Sequence, residues 1–113
     1  MSERIEACVV LVTCATAEAA VALASTVVEE RLAACGNIVP GVRSIYRWQG
    51  AVQEDAEVLL LLKTVAARVP ALSARVRDLH SYDVPEVLAL PVLGGLQRYL
   101  EWIEESTSAV EDK

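Results

Sequence analysis

Phenylalanine is absent from the chain, and aromatic residues make up only 4% of it. A core without those rings has to be built from Val, Leu, Ile and Ala, which fill a sheet–helix layer tightly but supply few large anchors. The two tryptophans and three tyrosines are therefore worth placing one by one. Basic residues are scarce as well: 10 Lys and Arg stand against 16 Asp and Glu, for a net charge of −6. That balance argues against a nucleic-acid partner, because phosphate binding needs clustered Lys and Arg. It serves solubility first and draws cations only weakly.

The three cysteines are odd in number and fall in no Cys-x-x-Cys spacing. No disulfide framework is expected, and a reducing cytoplasm is. Long hydrophobic runs are missing too. Ala7 to Thr13 and Val58 to Leu62 are far too short to span a bilayer, and the mixed-charge start Met1 to Glu6 does not read as a signal peptide, so no membrane partner is expected. The sequence has no HExxH and no Gly-rich phosphate loop, and Gly94-Gly95 reads as a linker, so no catalytic residues and no organic cofactor are assigned.

What remains is 113 residues that are 54% hydrophobic, enough for one two-layer domain over 1–113 and too few for two. Ala7 to Thr13 is an unbroken apolar strand, with Thr16 placed to cap the next element. Ala20, Leu23, Ala24, Val27 and Val28 then form a helical stripe, for which Gly36 is the expected stop. Ile38 to Trp48 reads as an edge strand that Pro40-Gly41 bends or bulges. Gln49-Gly50 is a turn, and Ala51 to Thr64 is the return strand of a hairpin. A second helix starts near Val69, with Val69, Leu72, Val76 and Leu79 on its apolar side. His80 to Pro85 is a polar loop, Glu86 to Pro91 a short strand, and a third helix runs from about Leu96 with Leu96, Tyr99, Leu100 and Ile103 inward. The tail from about Ser106 is expected to fray. The order β-α-β-β-α-β-α specifies an α+β ferredoxin-like sandwich, an antiparallel sheet with two helices on one face and an added C-terminal helix. Right-handed crossovers make the first and third strands central. The other face of so apolar a sheet needs cover, from the last helix or from another copy.

These residues resemble the CutA divalent-cation-tolerance family. Arg31-Leu32-Ala33-Ala34-Cys35 with Asn37, Pro40, Ser44-Ile45-Tyr46, Trp48 and Gly50 is similar to its long second strand and hairpin. Glu57 and Lys63-Thr64 match its third strand, His80-Ser81-Tyr82 with Pro85-Glu86 its His-Pro-Tyr…Pro-Glu loop, and Tyr99…Trp102 its last helix. The resemblance runs from about Val9 to Ile103. Ser81 departs from it where a proline is usual, and Cys14-Ala15-Thr16-Ala17 departs from the commoner Thr-x-Pro-Asp turn. It implies a compact homotrimer related in architecture to the PII signalling proteins, cytoplasmic, without catalytic activity, and linked to tolerance of copper and other divalent metal ions.

Thiolate, imidazole and carboxylate are the side chains such ions use. Antiparallel neighbours bring the end of the first strand beside the start of the fourth, so Cys14, His80 and Glu86 are the metal candidates at one end of the sheet. Cys35 belongs at the other end, on the order of 20–25 Å from Cys14 by the strand rise. Cys8, inside the first strand, is read as a small hydrophobe. Trp48 at the hairpin tip has little of its own chain to pack on and is assigned to an interface with a neighbouring protomer, together with Tyr46 and Trp102. Two other readings stay open: a PII-like regulator or partner-binding trimer with a small-molecule site between protomers, and a purely structural trimer.

Overall fold

A computed structural model describes residues 4–108. Alternation governs β1 (Ala7–Cys14): Val10, Val12 and Cys14 are buried, whereas Val9, Leu11 and Thr13 on the opposite face are half-buried. The same alternation runs along β3 (Ala51–Val65), where Val58, Leu60, Leu62 and Thr64 point to the buried side. These two strands pair antiparallel from Ala7↔Val65 to Cys14↔Val58 and form the centre of the sheet, whose order is β2-β3-β1-β4. Helices α1 (Ala17–Glu29) and α2 (Val69–Leu79) cover the buried side with Ala20, Leu23, Ala24, Val27, Leu72 and Val76. This is the ferredoxin-like sandwich expected from the element order. Each large aliphatic side chain buried there contributes about 1.5–3 kcal/mol relative to exposure.

Local chemistry sets the element ends. Thr16 Oγ1 accepts the Ala19 N–H at 3.0 Å, the N-cap of α1. That helix stops at Glu29, not at Gly36. Arg31 takes the left-handed conformation (φ 63°), and the Arg31 and Leu32 N–H groups bond back to the Val28 and Val27 carbonyls. Gly36 instead belongs to β2 (Cys35–Trp48), which begins earlier than its pattern suggests. A Cβ at Gly36 would lie 3.0 Å from Leu62 Cδ2 and 3.2 Å from both Ala24 Cβ and Leu60 Cδ1, so glycine lets the strand pass close beneath α1.

The bulge expected at Pro40-Gly41 is present, as the register slips between Val39↔Leu59 and Val42↔Glu57. The hairpin closes through Gln49 and Gly50, both at positive φ (51° and 81°), the type I′ geometry that matches strand twist. Past the β1 partner of Val58 no third strand among the described residues joins β2 and β3, so Val42–Trp48 and Ala51–Glu57 project as a two-stranded arm. The described chain is accordingly elongated, 53 × 30 × 22 Å.

The fourth strand is shorter than expected: β4 spans Leu88–Pro91 and reaches only from Cys8↔Pro91 to Leu11↔Leu88. Helix α3 (Gln97–Ser106) packs Ile103 and Leu100 against Ala7, Ala34 and Val65 at one end of the open face. Leu79, Leu96 and Tyr99, expected inward, are exposed. Thr107 is buried and its carbonyl accepts from Arg68 Nε at 2.8 Å, so the chain is still held there; the rest of the expected loose tail, 109–113, lies outside the described residues. Over the rest of the open face, Val39, Leu88 and Leu90 remain exposed.

Candidate functional site

After α2 the chain turns back along the end of β1, and one side chain pins this return. His80 Nε2 lies 2.7 Å from the Thr13 carbonyl oxygen, and its Nδ1 accepts the Tyr82 N–H at 3.1 Å. A carbonyl only accepts, so Nε2 carries the proton and the imidazole is neutral. Both ring nitrogens are thereby occupied within the fold. The ring also stacks at a tilt on Tyr82, with centroids 4.5 Å apart.

Pinning His80 sends Tyr82 toward the base of the arm, where its hydroxyl donates to Glu57 Oε2 at 2.6 Å. Burial, followed by that bond to the Glu57 carboxylate, pushes the Tyr82 phenol up, so it stays neutral. On the same face of the arm the Tyr46 hydroxyl donates to Asp55 Oδ2, which raises its pKa too. Loop and arm enclose a cleft of about 560 Å³ lined by Asp55, Glu57, Asp83, Glu86, Tyr46, Trp48 and Tyr82, among others, and by no lysine or arginine. Arg43 and Arg47 fall on the other face of the arm by strand alternation, and Arg43 is paired with Glu54 at 2.8 Å.

The three metal candidates are divided by the loop. Cys14 and His80 line a smaller cleft of about 200 Å³ beside α1, whereas Glu86 lines the large one. Cys14 is 2% exposed, and burial followed by the Glu57 charge pushes its thiol up, away from the thiolate that binds metal. Among the described residues no group of three or more His, Cys, Asp and Glu side chains is placed to hold a metal ion. One protomer thus offers no conventional metal site from these residues. Cys35 pairs with Lys63 while Cys14 pairs with Val58, which separates the two thiols by roughly 20 Å at strand spacing. The Cys35 thiol instead sits 3.7 Å from the Tyr99 hydroxyl, and Tyr99 stacks at a tilt on Trp102. Tyr46, Trp48 and Trp102, the expected interface residues, are all exposed in the single chain.

The profile of the family described as CutA1 divalent ion tolerance protein matches residues 8–106. The chain belongs to the CutA1 family. A divalent-cation tolerance protein CutA from Thermus thermophilus is 56% identical over 99 residues, covering 88% of this chain and 96% of that protein. A solved CutA1 structure from the same organism superposes with a TM-score of 0.88 at 54% identity, over 90% of this chain and 99% of that one. The CutA1 crystal structure from Oryza sativa gives 0.91 at 49% identity, over 96% of this chain and all of that one. Human protein CutA is 48% identical over 101 residues, 89% of this chain, and the match spans 56% of that longer protein. The Arabidopsis thaliana chloroplastic relative is likewise matched over 58% of its length.

Apart from Glu86, the acids of the large cleft were not legible as a site in the sequence. Glu57 stood out only as a match to the family's third strand, and Asp55 and Asp83 not at all. The available signal was a pair of acids two apart, Asp55 and Glu57, just ahead of the apolar run Val58 to Leu62.

Proposed function

We propose that this chain is a homotrimeric divalent-cation-tolerance protein that binds copper or another divalent metal ion and takes part in the response to metal ions, acting by binding and not by catalysis. The observation that carries this reading is a cleft with four carboxylates and no basic residue in a member of the CutA1 family. Assembly is supported by the apolar open face around Leu88, Leu90 and Val39, which water solvates poorly, and by the arm with Trp48 near its tip. A metal ion bound through Glu86, or through Cys14 or His80 once burial and the two His80 hydrogen bonds give way, takes its remaining ligands from a neighbouring protomer, because a single chain brings too few together. The three cysteines, all unpaired, favour a reducing compartment, and we place the protein in the cytoplasm.

Calorimetric titration of the apo protein with copper(I), copper(II) and zinc tests the metal reading, with mass measurement in solution for the trimer. Submillimolar binding that weakens in Cys14→Ala, His80→Ala or Glu86→Gln supports these ligands. Binding unchanged in all three removes them. A PII-like regulator with a small-molecule site is the second reading, and the cleft volume of about 560 Å³ favours it, lying within the usual range for ligand pockets. A thermal-shift screen of nucleotides and metabolites addresses it, since a ligand of the native state raises the melting temperature.

A further inference from the structure

We draw no further inference here: the strongest candidate, the half-buried Cys35 thiol at the edge of the open sheet face, opposite Lys63 and 3.7 Å from the Tyr99 hydroxyl of α3, is a lone cysteine, and no unpartnered buried polar side chain among the described residues points to a ligand beside it.

Discussion

Cys8, Cys14 and Cys35 differ only in surroundings, and those surroundings set their reactivity. Cys8 and Cys14 are buried and their thiols are pushed up, in each case first by burial and then by a nearby carboxylate, Glu6 and Glu57 respectively. Cys35 is half-buried, in contact with the Tyr99 hydroxyl. With iodoacetamide under native conditions, one modification is expected first, at Cys35, with Cys8 and Cys14 labelled only on unfolding; peptide mapping of a time course checks this, and early labelling of Cys14 contradicts it. The Cys8 thiol in the folded state titrates above its ordinary value of 9.0. The fold therefore holds a proton that the unfolded chain releases, and that contribution is complete below the unfolded value and is lost as pH rises through the folded one. Urea midpoints measured across the alkaline range are expected to fall above about pH 9, less steeply in Cys8→Ala than in the wild type.

At the scale of the element, the hairpin, its bulge and the N-cap of α1 were legible because each rests on neighbouring residues. Gly50 adopts positive φ cheaply, Pro40 donates nothing to a ladder, and Thr16 precedes a helical stripe. The end of α1 was misread for the complementary reason. Glycine signals a helix stop only when the backbone needs it, and here Arg31 takes the left-handed position while Gly36 yields space to Leu62, Leu60 and Ala24. Gly36→Val should cost about 1–3 kcal/mol in urea unfolding, through overpacking between β2 and α1. A neutral result would show that α1 can shift without penalty. His80 belongs to this scale as well: its two hydrogen bonds fix the path of the loop that carries Tyr82 to Glu57.

Across the whole molecule, the two faces of the sheet have different fates. One is closed by α1 and α2, while α3 covers only an end of the other, leaving Leu88 and Leu90 on the short outer strand exposed. The double change Leu88→Lys with Leu90→Lys should dissociate the proposed assembly, read as a fall in mass by light scattering. Far-ultraviolet circular dichroism should hardly change, since neither side chain is in a protomer core cluster. An unchanged mass would place the interface elsewhere.

The sequence by itself determined the order of elements, the central pair of strands and the hairpin with its bulge. Period-2 and period-3.6 patterns and turn stereochemistry act between near neighbours and survive without a partner. Only the tertiary structure decided what the candidate residues can do. It used both nitrogens of His80 inside the fold, set Cys14 and His80 on one side of the loop and Glu86 on the other, and drew Asp55 and Glu57 to Asp83 and Glu86. Those juxtapositions depend on the path of one loop and the face each arm residue takes beyond the bulge. Such long-range geometry leaves no mark in local composition or spacing.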